Sequence, residues 1–286
     1  MDLHDFGLAS DLEVMQRQAL ERRRLLRWVL AGAATLPLIS CGGSGGSDTA
    51  SASTGTGTGS SGTTTTTTTA GACAVIPEET GGPYPADGTN TNGGSIINVL
   101  NQTGVVRSDI RSSFNGATGV AAGVPLTIRL QLVNANAGCA SLAGYAIYLW
   151  HCDRDGLYSL YSSGVTAQNY LRGVQETDST GSLSFTTIFP GCYSGRMPHV
   201  HFEVYPSLAR AAAASNRVKT SQFTFPLATL NEVYTASGYA SSVRNLAQIS
   251  YATDNVFSDG TSLQMASVTG NVTDGYVVTL TIGVNG

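Results

Sequence analysis

Two histidines separated by one residue, His199 and His201, close the segment Gly191-Cys192-Tyr193-Ser194-Gly195-Arg196-Met197-Pro198-His199-Val200-His201-Phe202. In an extended chain residues i and i+2 face the same side, so both imidazoles can reach one ion. Alone, that spacing serves zinc, copper, manganese and iron sites alike. Tyrosine narrows the choice. A phenolate is a hard anionic ligand, formed only when a strongly Lewis-acidic cation overcomes a pKa of about 10. Two imidazoles with two phenolates would suit ferric iron. The chain holds 12 tyrosines, enough for coincidental neighbours, so tyrosine content by itself does not select the ligands.

The elements that must position these residues read as strands. Short apolar or alternating runs, broken by Gly, Asn and Asp, occur at Pro125–Val133, Gly144–Cys152, Ser182–Phe189, His199–Tyr205, Gln222–Phe225, Leu263–Val268 and Tyr276–Val284. Thr127 to Leu132 alternates with period two, as a half-buried strand does. Gln264–Val268 and Tyr276–Ile282, around Gly270 and Asp274-Gly275, read as a terminal hairpin. Helical patterning is confined to Ser207–Asn216 and Ala228–Ala236. The expected architecture is all-β: an antiparallel β-sandwich with short helical insertions. The stretch from Asn231 to Gly260 has no role that the sequence assigns.

Composition sets bounds on partners. The 286-residue chain is 12% charged, about half the usual fraction. Its 15 Lys and Arg against 19 Asp and Glu give a net charge of −4. That balance argues against nucleic acid as the main partner, because phosphate neutralisation needs a basic face. A hydrophobic fraction of 42% suffices for a core and excludes wholesale disorder. Multiple membrane spans are excluded as well, since the long apolar run occurs once, near the N-terminus.

That run belongs to an export signal over residues 1–41. Arg22-Arg23-Arg24-Leu25-Leu26-Arg27 precedes the apolar stretch Trp28 to Ile39, which ends at Leu38-Ile39-Ser40-Cys41. A basic n-region, a short h-region and a small residue before the break form the signal-peptide pattern. The ending resembles a bacterial lipobox, which would make Cys41 the lipidated mature N-terminus. The arginine pair resembles a twin-arginine signal, with Glu21 where Ser or Thr is usual. The alternative to a lipoprotein is a cleaved general secretory signal with an incidental Cys41; both readings export the protein, and the expected place is the bacterial cell envelope, lipid-anchored, periplasmic or at the surface. Residues 42–72 are almost wholly Gly, Ser, Thr and Ala, a flexible linker with a reach of about 30 Å. Residues 73–286 are expected to form a single β-sandwich domain.

Four cysteines follow Cys41: Cys73, Cys139, Cys152 and Cys192. An even number in an exported domain suggests two disulfides, with three connectivities open; buried free thiols are the other reading. No CxxC pair is present, which argues against a zinc site.

Residues 73 to about 226 resemble the intradiol ring-cleavage dioxygenases, non-haem ferric enzymes that open catechols between their hydroxyls. The resemblance rests on several segments in the family's order. They are Cys73-Ala-Val-Ile-Pro77-Glu78-Glu79-Thr80-Gly81-Gly82-Pro83-Tyr84, Gly144 to Asp153 with Trp150-His151-Cys152-Asp153, Asp155-Gly156-Leu157-Tyr158, Tyr170 to Asp178, Gly181 through Gly191, and Tyr193 to His201. It is to the exported, single-domain branch. It implies Fe(III) as cofactor, held by Tyr158 and Tyr193 as phenolates and by His199 and His201 as imidazoles. Tyr161 competes with Tyr158, but the offset of eight residues from Trp150 favours Tyr158.

The resemblance also implies roles around the metal. Tyr193 is the phenolate that leaves when substrate binds. Arg196 and Gln222 are catalytic residues beside the substrate, and Tyr84, on an N-terminal strap, is a substrate-binding residue. His151 is expected to be structural rather than a ligand. A disulfide between Cys192 and Cys152 near the iron is one further option. The implied partners are a catechol-type substrate and dioxygen, the product a cis,cis-muconate-type acid, and a monomer is favoured. The competing readings are a cell-surface copper or zinc protein and a non-catalytic β-sandwich binding module. For the first, the sequence offers no obvious third histidine; against the second stands the intact set Tyr158, Tyr193, His199, His201 and Arg196.

Overall fold

A computed structural model describes residues 73–286. The expected export signal over residues 1–41, the expected lipidation site Cys41 and the expected linker over residues 42–72 lie outside the described residues. In chain order the strands are β1 (Asp87–Asn92), β2 (Ser95–Asn98), β3 (Pro125–Asn134), β4 (Ala140–Ser141), β5 (Ala146–Trp150), β6 (Arg172–Glu176), β7 (Ser182–Ile188), β8 (His199–Tyr205), β9 (Lys219–Thr224), β10 (Ser267–Asn271) and β11 (Gly275–Val284). Two one-to-two-turn helices, α1 (Leu227–Val233) and α2 (Ala240–Leu246), fall between β9 and β10. Among the described residues no helix is long and apolar enough to cross a membrane.

The strands make the expected sandwich. One sheet runs β10-β11-β3, with β7 and the short β4 also paired to β3; the other runs β6-β5-β8-β9. A small β1-β2 hairpin stands apart from both. The pairs are antiparallel with one exception: β11 lies parallel to β3, from Tyr276 beside Leu126 to Val284 beside Asn134. The expectation of a wholly antiparallel sandwich is corrected there. β11 takes its direction from the β10–β11 hairpin, whose Thr269 pairs Val277 and Asn271 pairs Gly275, and that direction happens to match β3.

The alternation read in Thr127 to Leu132 points Leu126, Ile128, Leu130 and Leu132 into the core between the sheets, each 2% exposed or less. Facing them are Ile147 and Leu149 of β5, Val200, Phe202 and Val204 of β8, and Phe223 of β9. Each such side chain contributes about 1.5–3 kcal/mol by leaving water. β8 is buried along both faces. Its apolar residues enter the core, while His199, His201, Glu203 and Tyr205 face outward beneath a second layer that also buries Tyr148 and Trp150 of β5. A strand reading polar-apolar in strict alternation is ordinarily half-solvated. Here the polar face is roofed.

The roof is the N-terminal strap over residues 73–86, fastened through its backbone. Ile76 N–H donates to Gly283 O at 2.9 Å, and Glu79 N–H to Thr220 O at 2.9 Å. Gln222 Nε2 donates to Thr80 O at 2.8 Å, Ser221 Oγ to Pro77 O at 2.8 Å and Tyr148 Oη to Pro85 O at 2.7 Å. The buried Arg172 adds bonds from Nη1 to Tyr84 O (2.9 Å) and Pro85 O (3.1 Å). A disulfide between Cys73 and Cys139 anchors the start of the strap to the turn after β3.

Cys152 and Cys192 are free and buried. The expected second disulfide is therefore not formed, and neither is a Cys192–Cys152 bridge. Each sulfur has its own backbone acceptor: Cys152 Sγ faces Gly191 O at 3.5 Å, and Cys192 Sγ faces Arg196 O at 3.4 Å. In an apolar setting both thiols pack as small hydrophobes.

The sequence reading overlooked β1, β2, β4 and β6. β1, Asp-Gly-Thr-Asn-Thr-Asn, holds no apolar residue, so no hydrophobic period marks it. The expected helix at Ala228–Ala236 is α1, and Ser207–Asn216 forms two short helical turns, Leu208–Ala212 and Ala214–Asn216.

Candidate active site

Tyr158 is delivered by a tight loop after β5. Asp153 Oδ1 accepts the N–H groups of Asp155 at 3.0 Å and Leu157 at 2.9 Å, which folds the chain back on itself. Gly156 turns the corner at φ +85°, where a side chain would be strained, and a Cβ there would lie 2.9 Å from the Tyr193 Cβ. The two tyrosine-bearing segments can approach because this position is glycine. Tyr158 N–H then donates to Ser162 Oγ at 2.9 Å, and the phenol points under the strap, 1% exposed.

Four donor atoms converge there. His199 Nε2 lies 3.4 Å from Tyr158 Oη, 3.3 Å from Tyr193 Oη and 3.0 Å from His201 Nε2. His199 Nδ1 donates to Met197 O at 2.6 Å, which leaves Nε2 as a bare lone pair. One lone pair cannot satisfy all three atoms that face it. A single cation about 2.1 Å from each atom would, since donors set at near-right angles around it stand about 3 Å apart. Burial, then Tyr193, raises Tyr158 well above its ordinary value, and burial holds both imidazoles well below theirs. A phenolate in such a place needs a cation to form. Among the described residues no cluster of three or more His, Cys, Asp or Glu could hold a metal, so a metal here must use the tyrosines. The residues present fit ferric iron.

The imidazoles are held by their neighbours. Trp150 stacks on His201, ring centres 4.9 Å apart and planes 3° from parallel. Tyr148 in turn stacks on the Trp150 indole at 4.9 Å. Phe257 approaches His199 edgewise at 6.4 Å. Tyr193, by contrast, is only partly buried.

Arg196 lies beside the cluster, 3% exposed. Its Nη2 donates to Gln222 Oε1 at 2.7 Å and its Nε to Asp254 Oδ2 at 3.0 Å. Burial works against the guanidinium charge, but Tyr193 and Asp254 more than offset it and raise its pKa. Gln222 pairs with His201 across the β8–β9 ladder and is fully buried, so the strand register, rather than a local motif, brings it to Arg196. Asp254 and Phe257 were missed by sequence reasoning. The available signal was weak: a lone acidic residue in Thr253-Asp254-Asn255, 58 residues beyond Arg196.

The remaining candidates take definite places. Tyr84 packs its ring on Tyr158 at 4.8 Å and on Tyr161 at 5.2 Å. Tyr161 points away from the imidazoles, donating to Asn90 Oδ1 at 2.6 Å and accepting from Ala86 N at 2.9 Å. His151 is committed on both nitrogens, Nδ1 to Cys152 O and Nε2 to Thr187 Oγ1, each 2.7 Å. It joins no metal cluster, so the imidazoles in the cluster number two.

Comparison with known proteins gives a matching assignment of fold. A dioxygenase family model matches residues 107–210. The chain is similar to the structure of an intradiol ring-cleavage dioxygenase from Tetranychus urticae, with 24% identity and a TM-score of 0.57, covering 74% of this chain and 95% of that one. It also aligns with the dioxygenase domain of a dioxygenase carbohydrate-binding protein fusion from Streptomyces sp. SirexAA-E, with 23% identity and a TM-score of 0.46, covering 74% and 99%. No curated protein sequence matches the chain.

Proposed function

We propose that this chain, whose residues 107–210 match a dioxygenase family model and whose fold is similar to that of an intradiol ring-cleavage dioxygenase, is a non-haem Fe(III) dioxygenase that opens a catechol-type diol with O2 to a cis,cis-muconate-type product. The observation that carries the proposal is the convergence of Tyr158, Tyr193, His199 and His201 on one point. Ferric iron, when bound, supplies a Lewis acid that draws electron density from a catechol dianion and makes its ring reactive toward O2.

The chain's own residues prepare that chemistry. Tyr193 is the more exposed phenol, the one placed to yield its position to a substrate and carry away a substrate proton on Oη. Tyr158, packed beneath Tyr84, stays. The stacked Trp150 and the strap exclude water on the far side of His201, which strengthens every charge interaction inside. Arg196 is a fixed cation for the negative charge that develops on the ring, preorganised rather than recruited. Gln222 holds the Arg196 edge and completes the polar wall. Export through residues 1–41, lipidation at Cys41 and a monomeric state are part of the same proposal.

The test is oxygen uptake over a panel of substituted catechols, with Tyr158→Phe as control. Purified protein should be burgundy from phenolate-to-iron absorption, and the band should shift on adding catechol. Activity at the parent level in Tyr158→Phe, or colourless protein carrying stoichiometric copper or zinc, overturns it.

A further inference from the structure

The segment between α1 and β10 carries no residue that the proposed reaction uses, yet it contributes the most fully bonded carboxylate beside the site. Asp254 is 0% exposed. Its Oδ2 accepts Arg196 Nε at 3.0 Å and the Met197 N–H at 2.7 Å. Its Oδ1 accepts the N–H groups of Val256 at 2.8 Å and Phe257 at 3.0 Å. One side chain thus joins two segments that no backbone ladder connects, Arg196-Met197 before β8 and the turn that presents Phe257. Resting on the dioxygenase reading, we propose that Asp254 is the positioning residue of the site: it aims the Arg196 guanidinium and, through Met197, the His199 ring.

The geometry explains how. A guanidinium free to rotate could offer any of its edges to the cavity. With Nε fixed by Asp254 and Nη2 by Gln222, two bonds in the plane of the fork leave a single orientation. The Phe257 ring, placed by the other carboxylate oxygen, closes the face at 5.9 Å from Arg196 Cζ. The same Oδ2 pins the Met197 amide, and the Met197 carbonyl receives the His199 Nδ1 proton. An outer carboxylate that orients a ligand in this way tunes it without touching the metal. Asparagine cannot substitute cleanly. All four partners of Asp254 are N–H donors, and an amide would turn its own NH2 toward two of them.

A double-mutant cycle on the iron-loaded full chain tests the assignment, read by oxygen uptake with catechol. Asp254→Asn should lower kcat about hundredfold, the cost of a misplaced catalytic group, with KM changed less than about threefold. In an Arg196→Gln background the same substitution should lower kcat less than about tenfold further, because the guanidinium it aims is gone and only its hold on His199 through Met197 remains. Equal losses in both backgrounds overturn the proposal. Should Asp254→Asn fail to fold, Asp254→Glu keeps the charge and displaces the carboxylate by one methylene. It should cost about tenfold in kcat, and less where Arg196 is absent. A second readout needs no turnover: in the metal-free protein, the Arg196 Nε–H resonance, assigned by its loss in Arg196→Gln, should be sharp and slow to exchange. It should broaden or vanish in Asp254→Asn, and its persistence unchanged overturns the proposal. If the parent protein consumes no oxygen with any catechol, the dioxygenase reading falls, and the resonance still decides whether Asp254 holds Arg196.

Discussion

Acidification should destabilise the domain through His151 in a way that one substitution removes. This imidazole is fully buried, and burial holds its pKa down at about 4 from an ordinary 6.5. Its Nδ1–H donates to Cys152 O and its Nε2 accepts from Thr187 Oγ1, a pattern that needs the neutral ring. Between pH 6.5 and 4 the unfolded chain therefore binds a proton that the folded chain refuses, and stability falls as pH falls. The contribution is complete above 6.5 and is lost on the way down to 4. From 6.5 to about 4, at about 1.4 kcal/mol per pH unit, the loss reaches about 3 kcal/mol. Other groups titrate over the same range, so the readout is a difference. Urea unfolding of metal-free protein at pH 7, 5.5 and 4 is compared with that of His151→Gln, which carries no titratable ring. The variant should start less stable at pH 7 through imperfect hydrogen bonding, and the gap should close by about 3 kcal/mol at pH 4. Parallel losses in parent and variant would refute the reasoning, since they would mean that His151 accepts its proton without unfolding.

Further expectations follow from particular contacts. Gly156→Ala should cost about 1–3 kcal/mol in urea unfolding, because the residue sits at φ +85° and its Cβ would meet Tyr193 at 2.9 Å; a loss of phenolate absorption should accompany it. Opening the Cys73–Cys139 bridge by Cys73→Ser with Cys139→Ser should cost about 4 kcal/mol, the loop entropy of a 66-residue separation, measured as a lowered denaturant midpoint. Alkylation followed by peptide mapping should label Cys152 and Cys192 only after unfolding, since both are buried; labelling of either in native protein contradicts their placement.

Much of the sandwich was legible because its strands carry apolar residues at period two. β3 and β8 were readable within one residue at each end, and β11 likewise. β1 was not, since its pairing with β2 is a matter of backbone and turn rather than apolar burial. Of the site, His199 and His201 announced themselves by their spacing, whereas Tyr158, Tyr193 and Arg196 needed the order of several motifs together. Asp254 was beyond reach: a carboxylate that works by accepting four N–H donors leaves no periodicity and no motif. The disulfide count failed for a related reason. Even numbers of cysteines suggest pairing, but burial of Cys152 and Cys192 against separate carbonyls depends on packing that spacing does not encode.

The stacked indole gives the molecule an optical property. Of the two tryptophans in the sequence, Trp150 is the one within residues 73–286, and it lies face to face with His201 at 4.9 Å. Its Nε1 is buried without a hydrogen-bond partner, so its emission belongs at the blue end of the tryptophan range. An open-shell ion bound at the Nε2 edge of that imidazole would be close enough to the excited ring to quench it. Fluorescence intensity thus becomes an internal gauge of metal occupancy, readable at nanomolar protein without a chromophoric substrate.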